Sequence, residues 1–177
     1  MIDLKNYMRT CLLALTVTLS ATACFAQQAE HQHDPKNHDK HQSEVNERGD
    51  KAMGFSHKKN THRFRLLTDG GAIEVRANRA DDKESLQQIR KHLREIAEAF
   101  PAGEFDAPFS THGKIPPGVP AMKRLGKEIN YEFDEIEGGG RVRLSTNNAD
   151  ALRAIHDFMR FQIEDHQTGD STKIEKP

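Results

Sequence analysis

Tryptophan is absent from this 177-residue chain and tyrosine occurs only twice. Flat aromatic platforms on which nucleobases stack are therefore scarce. An excess of one charge is missing too: 26 Lys and Arg stand against 27 Asp and Glu, for a formal net charge of -1. The two signs interleave, so no field steers nucleic acid or an anionic membrane toward the chain, and no nucleic-acid partner is expected. No apolar run approaches the ~20 residues that span a bilayer. Motifs of the common enzyme classes are missing as well. There is no Gly-x-Ser-x-Gly elbow, no phosphate loop, no His-Glu-x-x-His and no Gly-x-Gly-x-x-Gly after a strand. Gly138-Gly139-Gly140 follows one strand and opens another, which reads as a hairpin turn.

Cysteine occurs twice, as Cys11 and Cys24. Both fall in a segment that reads as an export leader. Lys5 and Arg9 precede an apolar stretch from Cys11 to Leu19, followed by small residues and Cys24-Phe25-Ala26. Residues 1–26 are expected to be a signal peptide cleaved after Ala26, which makes the protein periplasmic. The alternative takes Ala21-Thr22-Ala23-Cys24 as a degenerate lipobox, with a lipid anchor on Cys24 and a membrane-tethered lipoprotein as the product. On either reading the mature chain has no disulfide, no thiolate metal site and no transmembrane segment.

Two stretches with alternating polarity stand out. Arg63 to Val75 and Glu132 to Leu144 each hold two alternating runs around a Gly-Gly pair, the signature of a hairpin. A shift of 69 positions superposes Phe64 on Phe133, Gly70-Gly71 on Gly139-Gly140 and Val75 on Leu144. Each stretch leads into a helical pattern. The first begins at Asp81 or Asp82, carries Leu86, Ile89, Leu93, Ile96 and Phe100, and stops at Pro101. The second begins near Asn148 and carries Leu152, Ile155, Phe158, Met159 and Ile163.

The spacing predicts an α+β domain over residues 53–166, in which two β-β-α repeats form a four-stranded antiparallel sheet with two helices on one face. Repeat one covers 60–100, a Pro- and Gly-rich loop 101–127, and repeat two 128–166. Residues 27–52 are polar and His-bearing, and are expected to be disordered, as is the 167–177 tail. Arg63, Arg65, Glu74, Arg76, Glu132, Asp134, Arg141 and Arg143 alternate with the apolar set and should form a solvated outer sheet face.

Histidine is the one enriched reactive type, with ten copies. His31, His33, His38 and His41 lie in the polar segment, where flexible imidazoles can wrap an ion or simply add polarity. Met53 and His57 stand just ahead of the first strand and His62 within it, with His112 in the long loop. Thioether plus imidazole suits Cu(I), and zinc is the other candidate ion. Their convergence would make a site; His62 on the inner strand face otherwise needs a buried hydrogen-bond partner. His92 and His156 flank the helical stripes, and His166 ends the second helix, where a cation suits the dipole. Phe161 falls off the apolar stripe of its helix.

Residues 48–57, Thr61-His62-Arg63-Phe64, Asp69 to Val75, Pro116-Pro117-Gly118-Val119-Pro120 and Arg160 to His166 together resemble a group of small exported bacterial proteins of unknown function. The resemblance spans residues 48 to about 170 and implies no activity. Some members carry an aspartate carbamoyltransferase label. That enzyme family has a Ser-x-Arg-Thr phosphate loop and a His-Pro-x-Gln-type motif, and this chain has neither. The leading expectation is thus an exported, non-enzymatic binding protein for copper or zinc. The alternatives are a periplasmic protein-interaction module without a metal role and, more remotely, a small enzyme.

Overall fold

The structure, a computed structural model, describes residues 35–177. The expected leader with both cysteines, the start of the polar segment, and His31 and His33 lie outside the described residues. Within them the helices are α1 (Pro35–Met53), α2 (Lys83–Ala99), α3 (Asp106–His112), α4 (Val119–Arg124) and α5 (Ala149–His166). The strands are β1 (Asn60–Leu67), β2 (Gly70–Ala77), β3 (Asn130–Ile136), β4 (Gly139–Ser145) and β5 (Ile174–Glu175).

The fold is α+β. Its sheet is larger than the expected four antiparallel strands: the order is β3-β4-β2-β1-β5, and β5 runs parallel to β1. The two hairpins meet through antiparallel β2 and β4. Their turns lie one step ahead of the glycine pairs, with Thr68-Asp69 joining Leu67 to Gly70 and Glu137-Gly138 joining Ile136 to Gly139. Gly138 supplies the positive φ, 71°, that such a tight turn favours. Gly139 has another role: a Cβ there would lie 1.8 Å from the Val75 carbonyl oxygen, so β2 and β4 can pair this closely only without a side chain.

Asp82, rather than Asp81, caps α2, its carboxylate accepting from the Ser85 N–H at 3.0 Å. Asn148 caps α5 in the same way. Phe64, Leu66, Ile73, Val75, Val142 and Leu144 alternate to the inner sheet face, where they join the buried stripes of α2 and α5 in one core. His156, expected at the core boundary, is buried. Its ring N–H is shared between the Leu67 and Gly70 carbonyls at 2.9 and 3.1 Å, which fastens α5 to the first hairpin. On the outer face the register aligns Arg63, Glu74, Arg141 and Asp134 across four strands, a row of alternating charge. Opposite charges facing each other across strands stabilise a sheet by a few tenths of a kcal/mol to about 1 kcal/mol each.

Three segments differ from the sequence expectation. Residues 35–53 are helical, although little in them is apolar. Val45, the large apolar residue in the middle of this helix, is 1% exposed. Arg48 donates to the Thr111 carbonyl at 2.9 Å, and α1 thereby rests on α3 and α5. The 101–127 stretch contains α3 and α4 rather than only loop. Gly118 in its Pro-Pro-Gly turn has φ 83°, and a Cβ there would lie 2.1 Å from the Ala154 carbonyl oxygen, so this turn rides directly on α5. The 167–177 tail is bound along β1: the Asp170 carboxylate accepts from the Phe64 N–H at 2.8 Å, and Glu175 pairs with Arg65 at 2.7 Å. Among the described residues no helix is long and apolar enough to cross a membrane.

Candidate functional site

The α2–α5 layer leaves a cavity of ≈ 60 Å³ at the end of the sheet where β1 begins. Its polar and soft lining includes Met53, His62, His92, His112, Gln162 and His166, and phenylalanines such as Phe64, Phe100 and Phe158 supply much of the rest. Each of these side chains is delivered by a local rule. Met53 is the last residue of α1, which Gly54 stops with φ 77°. His62 lies on the inner face of β1 because it alternates with Phe64 and Leu66. His92 stands three residues after Ile89 on α2, and His112 ends α3 before Gly113 in the left-handed conformation. Gln162 and His166 are one turn apart on α5.

The rings stack into a tight group. His62 and His166 lie parallel with centroids 5.7 Å apart, and His112 meets His166 edge-on at 4.8 Å. Phe55 stacks on His62 and Phe64 on His166. Among the described residues no group hydrogen-bonds the His62, His92 or His166 rings, which are held by ring contacts. Burial, aided by the neighbouring His92, lowers the His62 pKa to about 4. Burial does the same for His92, to about 4. For His166 burial and the nearby His62 and His112 lower it to about 3. At neutral pH all three are uncharged imidazoles, the form that binds metals.

His112 is held differently. Its Nδ1 lies 2.6 Å from Asp165 Oδ2 and its Nε2 3.0 Å from Gln162 Oε1. Asp165 is a hub, also 3.1 Å from His41 Nε2 and 3.5 Å from Lys114 Nζ. Burial works against its charge, but the hydrogen bonds from His112 and His41 prevail and hold its pKa below the usual carboxylate range. Gln162 Nε2 is buried without a partner. A stranded buried donor costs about 1–3 kcal/mol, so it requires an explanation.

No protein family, curated protein or solved structure matches this chain.

Of the histidines singled out from sequence, the fold brings His62 and His112 together with Met53 and leaves His57 apart. Asp50 Oδ1 accepts from the His57 N–H at 2.6 Å and lies 2.9 Å from its Nδ1, which holds the ring on the surface side of the α1 end. His41 is engaged with Asp165, and His38 falls in the first turn of α1. Among the described residues no three His, Cys, Asp or Glu side chains stand close enough to hold a metal ion as they are. Sequence reasoning places His92 beside the apolar stripe of its helix and His166 at a helix end, and misses Gln162 and Asp165. A signal is present for His166, three residues after Ile163 on the apolar stripe. None is present for Asp165, whose role depends on α3 and α1 folding back. Phe161 is half-buried: it meets His112 edge-on at 4.9 Å and carries the Lys114 ammonium 4.8 Å from its centroid. The large apolar side chains that remain exposed include Phe109 and Ile115.

Proposed function

We propose that this chain is an exported, non-enzymatic metal-binding protein that takes up Cu(I) in the histidine-lined cavity, with Met53, His62, His112 and His166 as the ligand set. The observation that supports this most is that a thioether and three imidazoles, carried by α1, β1, α3 and α5, share one ≈ 60 Å³ cavity. Thioether and neutral imidazole are soft and borderline donors, which favour Cu(I) over hard cations. Cu(I) also accepts two or three ligands, so it does not require the closed four-ligand shell of a structural zinc site. His112 carries the further mark of a ligand: its Nδ1 is tied to a carboxylate, the arrangement that orients Nε2 toward a metal.

The test is an anaerobic titration of the mature chain with Cu(I) against a chromophoric chelator. One equivalent should bind, and Met53→Leu combined with His62→Phe should weaken binding at least a hundredfold while His57→Ala leaves it unchanged. Failure of the wild-type chain to compete refutes the assignment. Tighter binding of zinc than of Cu(I) refutes the choice of ion. Export through residues 1–26 is checked by fractionating cells that express the full chain; recovery of uncleaved protein in the cytoplasm counts against it.

A further inference from the structure

Within the cavity, Gln162 is a buried amide with one end paired and the other stranded. It is 4% exposed, its Oε1 faces His112 Nε2 at 3.0 Å, and its Nε2 has no partner. Turning the amide over does not repair this, because Oε1 is then stranded where Nε2 was. The position that faces Gln162 is the one a metal would need, since Asp165 already holds the other ring nitrogen of His112. An amide with one satisfied and one unsatisfied atom is a poor structural element but a serviceable displaceable one.

We propose that Gln162 is a built-in competitor for the ion, so that metal uptake is an exchange. His112 Nε2 gives up the Gln162 amide, releases to bulk water the proton it donates to Gln162 Oε1, and gives the freed lone pair to the metal, while Asp165 keeps the ring in place through Nδ1. This rests on the Cu(I) reading above and adds its regulation. The exchange lowers affinity for every ion and so excludes those that bind imidazole weakly. It also accounts for a ligand set that shares a cavity without converging: His112 is turned toward Gln162 until the ion arrives.

The experiment compares wild type, Gln162→Leu and Asp165→Asn by Cu(I) competition titration, with 15N-labelled wild type followed by NMR, for which Cu(I) is diamagnetic. Removing the competitor should tighten binding by about tenfold, the scale of one net hydrogen bond. Asp165→Asn should weaken it by about ten- to a hundredfold. The Gln162 side-chain amide signals should move as one equivalent is added. Equal or weaker binding by a folded Gln162→Leu, or Gln162 signals that stay in place while wild type binds, overturns the exchange and leaves the Cu(I) reading intact. If Gln162→Leu does not fold, the wild-type NMR titration decides. Absence of binding by wild type overturns both.

Discussion

Acidification from about pH 7 to about pH 5 should remove on the order of 3 kcal/mol of folding stability. The cause is the trio His62, His92 and His166, whose pKa values fall from 6.5 to about 4, about 4 and about 3 on folding. Between about pH 6.5 and 4 the unfolded chain binds protons at these rings and the folded chain does not, so stability rises with pH through that window and is lost on going down. One proton bound only by the unfolded chain is worth about 1.36 kcal/mol for every pH unit crossed, so each ring at full weight contributes about 1.8 kcal/mol between pH 7 and pH 5. Partial solvent contact, and a His62–His166 repulsion that must not be counted twice, reduce the total to about 3 kcal/mol. That is a large share of the roughly 5–15 kcal/mol typical of a domain. Asp165, whose pKa is lowered, acts in the same direction but only below about pH 4, so the two effects separate. Urea denaturation at pH 7, 6 and 5 should show the midpoint dropping by roughly 1.5 M. His92→Leu, which keeps an apolar body against Phe55, should remove about a third of the dependence. A midpoint that is flat or rises toward pH 5 would refute this account of the buried rings.

Other expectations follow from single contacts. Gly118→Ala, with a Cβ 2.1 Å from the Ala154 carbonyl and φ 83°, should cost about 2 kcal/mol or more and lower the melting temperature; an unchanged melt counts against the close seating of this turn. His156→Leu leaves the buried Leu67 and Gly70 carbonyls without the shared ring N–H and should cost about 1–3 kcal/mol in chemical denaturation. Val45→Asp buries a charge at the mid-helix apolar anchor of α1 and should undock that helix while the sheet persists. Hydrogen exchange would show this as lost protection confined to residues 35–53; if the protection of α1 survives, its docking has another basis.

The hairpins and the two long helices were legible because their signals are local. Period-two alternation around a glycine pair, and Ile89, Leu93 and Ile96 at helical spacing, need no knowledge of the rest of the chain. The turn positions were not legible, since Gly139 serves β2–β4 proximity rather than the bend. α1 was invisible because a helix with a single buried apolar anchor resembles a disordered segment in composition, and its partners, the Thr111 carbonyl and Asp165, come from distant parts of the chain. The tail was missed for the same reason, its anchors being Asp170 and Glu175 on β1. At the candidate site, residue chemistry directed attention to Met53, His62 and His112. It could not foresee that Asp50 would hold His57, or that Gln162 and Asp165 would take the two nitrogens of His112.

The strap along β1 also bears on solubility. An exposed strand edge is a template for pairing with another copy of the chain, and sheets are protected from this by covering or charging their edges. Here one edge, β3, carries Glu132 and Asp134 and discourages partners by charge. At the other end the two-residue β5 and the segment before it cover β1: Asp170 accepts from the Phe64 N–H, and the Glu175 carbonyl from the Thr68 N–H just beyond β1. A chain cut after residue 167 would keep its core and its cavity but offer β1 as an open template. Its failure would then appear as concentration-dependent assembly rather than as unfolding, which sets residues 168–177 apart as a guard on the sheet and not a support for it.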